Sequence, residues 1–536
     1  MSSQAASWDG SGTNGRVAVV TDMAETQDST TVAKTPRRRR LSWREPWAGN
    51  PWPAIIEGTL GSFLVFAGSI GMGWIAPASP MLRHPLVIFL RTEGQGLTAS
   101  TLALSLGAMI LIRSWIRLGQ RLGGWGSGSL KAVVWAIGLW ALPLFFAVPI
   151  FSRDVYAYTG QGRLVAEGLD PYSQGISSLS NWFSLGADQA WAENRTPYGP
   201  YFLWLARAVV GITGAQPDYS VLLFRVVALI GVVLCMVYVP KLAAQHGINP
   251  GRALWLAVAN PLFLISFVAS AHNDVLMVGL AVAAFYFASV GKHKTALLLI
   301  TASIGVKIIT VVFLPFLALM WAGKGASWLC KVVFWAISGI GSLAILVVSG
   351  IPYNLGLGWL FALTDPTPGY TGYAPSGFLG QQLEMFCNAL GLPGGDIATG
   401  FRSLLKVGSM LLAALLILRG KHEHLVRRAG LAMASIVLLS PIIQPWYILW
   451  FVPLLAATGI RNDWQVKSLY VVVTFFVVFG AQDQLSVYSF VQLGVPVSSI
   501  AFFVALGMTV YLAFLDVHTR KALFGGRKSD DNWGVI

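Results

Sequence analysis

Charge is what this chain has least of. Asp, Glu, Lys and Arg make up 11% of its 536 residues, against 55% hydrophobic, and the mean hydropathy is +0.64. Backbone placed in hydrocarbon must satisfy its own hydrogen bonds, so the expected fold is an all-α polytopic membrane protein. Cysteine is equally scarce. Cys235, Cys330 and Cys387 lie far apart, with no metal-ligand spacing and no disulfide framework. A cleavable signal peptide is not readable, because the basic run KTPRRRR lies too deep and no short apolar core with a small-residue cleavage site follows it. No inverted repeat relates the two halves, as it does in many transporters. The net charge of +14 therefore concerns orientation and anionic lipid heads, and membrane lipids rather than nucleic acid are the expected partners.

Residues 1–50 are polar and end in Arg37–Arg40, which reads as a disordered basic cytoplasmic tail. A membrane domain over 51–520 and a cytoplasmic tail over 521–536 follow. Apolar spans are expected at 54–76, 98–118, 132–150, 219–240, 252–270, 275–290, 332–350, 400–419, 429–443, 446–460, 468–482 and 497–516. Two stretches resist counting. Segment 200–216 is at the lower limit of a span, and segment 295–322 is too long for one span and too short for two, with Gly305 and Lys307 in its middle. If the first is an interfacial helix and the second a broken hairpin, every cation group between spans is cytoplasmic. The total is then about 13–14 transmembrane helices.

The longest polar interruption is 151–201, FSRDVYAYTGQGRLVAEGLDPYSQGISSLSNWFSLGADQAWAENRTPYGPY. With the N-terminus inside, it falls outside, and long loops of this kind carry function. Arg153 and Asp154 stand where hydrocarbon gives way to water. They mark either a helix end or a reactive carboxylate, and Tyr156, Tyr158, Gln161 and Arg163 follow with hydrogen-bonding and sugar-stacking groups.

The same topology puts the triplet His272–Asn273–Asp274 on that outer side. Because it directly precedes an apolar run, it is either an N-cap or a polar ligand site, and both can hold at once. Lys307 at mid-span costs about 2.5–3.5 kcal/mol to insert and so faces a cavity or a partner, as an ion pair or as an anion ligand. A second external segment, 351–399, carries TDPTPGYTGYAPSG and a possible interfacial helix near 379–391. In SPIIQPWYILW, residues 440–450, two prolines break an apolar run so that Gln444, Trp446 and Tyr447 sit at its turn. Interfacial Trp and Tyr also form ordinary membrane belts.

Taken in order, SRDVYAYTGQGRLVAEGLDPY, TPYGPYFLWLAR, SAHNDVLMVGL and PIIQPWYILW resemble the polyprenyl-phosphate-mannose-dependent α-1,6-mannopyranosyltransferases of actinobacterial lipomannan and lipoarabinomannan synthesis. The resemblance implies the GT-C glycosyltransferase fold, a polyprenyl-phosphate mannose donor and a mannosylated glycolipid acceptor. It further implies Asp154 as the catalytic acidic residue, with His272, Asn273, Asp274, Gln444, Trp446 and Tyr447 as pocket residues. The paired acidic motif of many GT-C loops is absent, Asp154 being followed by Val155 and Tyr156, which argues against a bound divalent metal without deciding the requirement, and no other cofactor is assigned. The chemistry fits. A sugar hydroxyl needs a carboxylate base, worth about 10² to 10⁴ in rate, and a lipid monophosphate leaves without a general acid but needs cations or a helix N-terminus. Lys307, His272 and Arg163 are the candidates for that phosphate. A pentosyl (arabinosyl) transferase from the same kind of donor, or a flippase for a lipid-linked sugar, is the alternative.

Overall fold

The computed structural model describes residues 49–361, 369–486 and 497–525. The basic run at 37–40, most of the C-terminal tail and residues 362–368 of the 351–399 segment lie outside them. Every principal element among the described residues is helical. Proline sets many of the starts: Pro200, Pro217, Pro250, Pro261 and Pro375 each occupy the first turn of a helix, where a missing N–H costs nothing and a fixed φ is already helical.

Among the described residues, eight helices are long and apolar enough to cross a membrane, including Trp52–Met72, Gly94–Arg121, Ser129–Phe146, Pro217–Gln245 and Gly394–Leu418. A ninth results if Pro250–Ala257 and Pro261–Ala269, bent by 58°, count as one. About 13–14 transmembrane helices were expected, and these eight or nine are the ones that meet the length and composition of a full span. The remaining apolar stretches fold as shorter helices, Pro200–Thr213, Asp274–Ser289, His293–Val306, Ile308–Ala322 and Pro445–Thr458. Fourteen residues rise only about 21 Å, short of a hydrocarbon core of about 30 Å. Ends of this kind are tolerated at membrane depth only where protein buries them.

Segment 293–322 is a hairpin broken at its tip. His293 at its start stacks near Trp321 at its end, ring centroids 5.9 Å apart and planes at 14°, which places both feet together and Lys307, in extended backbone, at the far end. The Pro200–Thr213 helix packs on the first helix of the 151–201 segment, Asp154–Ala166, across Gly162, where an added Cβ meets the Ala206 carbonyl at 2.4 Å. In the 351–399 segment, the helix expected near 379–391 is Pro375–Ala389. Its first turn and the residues before it clasp the 440–450 turn: Thr371 N–H donates to the Pro441 carbonyl at 3.0 Å, Tyr373 Oη to that of Ile443 at 2.7 Å, and Ser376 Oγ to that of Ser440 at 2.6 Å.

Close crossing of Pro217–Gln245 with Asp274–Ser289 rests on Gly231 and Gly279. A Cβ at Gly231 lies 2.5 Å from Leu276 N, a distance only backbone displacement relieves. Gly231→Val is expected to lower stability by about 1–3 kcal/mol, read as unfolding of the purified protein in detergent.

Candidate active site

Two short turns, far apart in sequence, build the site. The chain leaves Ser129–Phe146 and passes Phe151, at φ +63°, before Ser152, Arg153 and Asp154. The other turn leaves the π-helical residues Ile265–Ala269 and passes Ala271, at φ +57°, before His272. Side chains avoid this left-handed region at a cost of about 1–2 kcal/mol each, so both turns must be held from outside.

Three buried side chains hold them. Ser270 Oγ donates to the Ile150 carbonyl at 2.5 Å, which staples one turn to the other. Arg225, from Pro217–Gln245, donates to the Phe145 carbonyl at 2.9 Å and the Ala269 carbonyl at 2.6 Å. Gln484 accepts the Phe151 N–H at 2.8 Å and donates to the Met72 carbonyl at 2.7 Å. As a result Asp154 Oδ2 stands 3.5 Å from His272 Nδ1.

Asp154 is the first residue of its helix, and its N–H donates to Ser152 Oγ at 3.0 Å. Burial lifts its carboxyl to about 6; the Lys307 charge pulls the other way and the Asp274 charge adds to the rise. Burial pushes the His272 imidazole down to about 3, so the ring is neutral and its contact with Asp154 is not an ion pair. Trp446 stacks on it, centroids 3.7 Å apart and planes at 27°. His272 Nε2, Asn273 Nδ2 and Trp446 Nε1 are buried without a protein partner. An unmet buried donor or acceptor costs about 1–3 kcal/mol, which makes this trio a set of groups suited to a polar ligand.

The Asn273 side chain does not cap the helix it precedes. It accepts from Tyr158 Oη at 3.4 Å, and the Asn273 N–H donates to the same oxygen at 3.4 Å. Asp274 is the first residue of Asp274–Ser289, fully buried, and its Oδ1 accepts from Lys307 Nζ at 2.9 Å and from Trp450 Nε1 at 2.8 Å. The Lys307 ammonium lies over the rings of Trp450, Tyr447 and Tyr198, 5.0, 5.4 and 5.6 Å from their centroids, a favourable setting for a desolvated cation. Lys307 also forms a β-bridge with Tyr198, and the Gly199 N–H donates to the Val306 carbonyl at 3.1 Å. Gly199 is required there, because a Cβ meets the Gly305 carbonyl at 2.4 Å.

The structure therefore brings Asp154, Tyr158, His272, Asn273, Asp274, Lys307, Trp446 and Tyr447 together. Other candidates are engaged elsewhere. Arg163 donates to the Ser180 carbonyl at 3.0 Å and pairs with Glu167 at 2.8 Å, nine residues and about 13 Å of helix rise from Asp154. Tyr156 Oη donates to the Trp74 carbonyl at 2.6 Å. Arg153 lies over the Trp74 ring at 3.7 Å and 3.6 Å from Asp188. Gln161 is buried on the Asp154 helix, its Oε1 unpartnered, and half-buried Gln444 directly precedes the turn that carries Trp446, with no side-chain bond capping it. Tyr198, Trp450, Arg225 and Ser270 are the functional positions that sequence reasoning missed. Trp450 had a signal, since it follows Tyr447 by three residues in a 3₁₀ turn, where such positions eclipse. Among the described residues no three His, Cys, Asp or Glu side chains converge as a metal requires.

Removing one partner of a buried ion pair strands the other charge. Lys307→Met is expected to destabilise the protein by about 3–5 kcal/mol. Adding Asp274→Asn, which keeps an acceptor for Trp450, recovers most of that loss in denaturant unfolding.

A family described as α-(1→6)-mannopyranosyltransferase, N-terminal domain, matches residues 55–323, and an MptB C-terminal domain matches 395–511. The first contains Asp154, His272–Asp274 and Lys307, the second Trp446, Tyr447 and Trp450. A probable α-(1→6)-mannopyranosyltransferase of Mycolicibacterium smegmatis is 30% identical over 455 residues, covering 77% of this chain and 80% of its own. α-(1→6)-Mannopyranosyltransferase A of Mycobacterium tuberculosis is 32% identical over 409 residues, 73% of this chain and 78% of its own. Among solved structures, ArnT from Cupriavidus metallidurans bound to undecaprenyl phosphate is a distant likeness, with TM-score 0.38 and 13% identity over 75% of each chain. With one family matched along half its length, and with relatives at this identity, the chain belongs to the α-(1→6)-mannopyranosyltransferases.

Proposed function

We propose that this protein is a GT-C glycosyltransferase that transfers mannose from a polyprenyl-phosphate mannose to a growing α-1,6-mannan glycolipid, the lipomannan core, at the outer face of the plasma membrane. The observation that carries the reading is Asp154: a carboxylate tuned by burial to about 6, beside a neutral imidazole and a trio of unpartnered polar groups. A base poised near the working pH is what abstraction of a hydroxyl proton requires.

The step is a single in-line displacement. The acceptor's 6-hydroxyl oxygen attacks the anomeric carbon, the proton passes to Asp154, and the carbon–oxygen bond to phosphate breaks with its electron pair leaving on the lipid phosphate. One displacement inverts a β-linked donor into an α-linked product. The ammonium of Lys307 has three donors and gives one to Asp274, so the others are available to the leaving phosphate as its charge grows. His272, Asn273 and Trp446 offer the sugar hydroxyls partners that a deoxy analogue leaves unmet. Beside the hairpin tip, an apolar cavity of about 500 Å³ between Tyr201, Trp204, Leu276, Leu280 and Ala302 suits the first prenyl units of the donor.

Asp154→Asn is expected to fold and insert normally yet lose about 10² or more in turnover, measured as mannose transfer to a synthetic α-1,6-mannoside by the purified protein. Undiminished transfer removes Asp154 from the mechanism; transfer of a pentose in place of mannose from matched donors reassigns the substrate. In the wild type, the active form is the carboxylate, so turnover should fall about tenfold per pH unit as pH drops through about 6. Sidedness has its own readout. Exposed Ser173→Cys in a Cys-free background should react with an impermeant thiol reagent added outside intact cells, and reaction only after permeabilisation places the loop in the cytoplasm.

A further inference from the structure

The end of the molecule opposite the active site holds a second built cleft. From Lys307 the hairpin runs through Ile308–Phe313 and Leu314–Ala322 to its foot, a rise of about 25 Å. There it meets the start of Trp328–Gly350, the end of Gly394–Leu418 and the start of Leu425–Leu438. Between them lies a cavity of about 440 Å³ bordered by Lys324, Lys331, Lys421, His422, Glu423 and Arg428. Its charge is lopsided. Glu423 is the one acid among these six and pairs with Lys324 at 2.8 Å. Arg428 is fixed at the wall by its bonds to the carbonyls of Leu416 at 2.7 Å, Ile417 at 2.9 Å and Lys421 at 3.2 Å, which close the Gly394–Leu418 helix and leave its positive charge in place. No ion pair engages the ammonium of Lys331 or Lys421 among the described residues.

A second cavity, of about 410 Å³ and almost wholly apolar, continues from the first. Both are lined by Trp335, Ile417 and Leu418, and the second extends along Val311, Leu314 and Ala414. Trp335 is fixed at the junction by its indole bond to the Pro315 carbonyl at 3.1 Å. The groove opens sideways between Trp328–Gly350 and Gly394–Leu418, whose outward faces carry exposed Leu329, Ile340, Val407 and Leu411. A cationic chamber that runs into an apolar slot open to hydrocarbon matches an amphiphile, not a soluble anion.

We propose that this cleft is a resident site for an anionic phospholipid, with the phosphate head between Lys331 and Lys421 above Arg428 and an acyl chain in the groove past Trp335. The bound lipid joins the foot of the Lys307 hairpin to the two helices beside it. Cations near a bilayer surface attract such heads, and the groove confines the hydrocarbon.

The test uses the full chain in detergent, with bound lipid read by native mass spectrometry and unfolding by heating. Phosphatidylglycerol should be retained and should raise the unfolding temperature, whereas phosphatidylcholine and inorganic phosphate should do neither. Lys331→Gln with Lys421→Gln should weaken phosphatidylglycerol binding about tenfold or more while mannose transfer persists. Gly339→Leu, at a groove position where an added Cβ meets nothing within 4 Å, should block the chain with every cation intact. Equal response to phosphatidylcholine, a full response to inorganic phosphate alone, preference for a polyprenyl phosphate, or wild-type binding by the double variant overturns the proposal.

Discussion

One buried ion pair organises the site. Asp274 and Lys307 come from the first turn of one helix and the broken tip of another, and neither charge tolerates hydrocarbon by itself. Their union draws in Trp450, which donates to the same carboxylate oxygen, and the aromatic faces of Tyr198 and Tyr447. Four segments of chain thereby become one wall. The desolvation of both ions is offset only because each has several partners, so the pair specifies a single arrangement more than it adds stability.

The architecture around it follows from where helices stop. A continuous span hides its polar backbone, and a helix that ends early exposes N–H and C=O groups. The turns before Asp154 and His272 and the tip at Lys307 are all such interruptions, and their loose ends meet one another and a few buried side chains. Arg225 shows the principle, since it serves two terminal carbonyls at once. In a membrane protein the breaks are where polar chemistry can be housed, and here they are gathered into one place.

Much of this was legible in the sequence. Low charge and long apolar runs gave the helical membrane class, and four separated motifs supplied nearly every residue of the site. The hairpin at 293–322 was readable from a length that suits neither one span nor two. What escaped had physical causes. Arg163 and Tyr156 look like ligands, yet each found a carbonyl, Tyr156 at Trp74, eighty-two residues back. Asn273 occupies the position of a cap and turns to Tyr158 instead. Arg225 sits inside an unremarkable apolar helix, and nothing local announces that two distant turns depend on it. Hydropathy located the apolar stretches but not how long each helix would be, because it measures how apolar a stretch is and not where its helix stops.

The bond from Ser270 to Ile150 makes the turns before Asp154 and His272 a single mechanical part. Phe151 and Ala271 both hold left-handed backbone, so neither turn relaxes without disturbing its neighbour. Divergence among relatives is therefore coupled here: a chimera that imports one of these loops inherits a misfit unless it imports the other as well, and specificity must drift through the outer aromatic rim while this joint stays put.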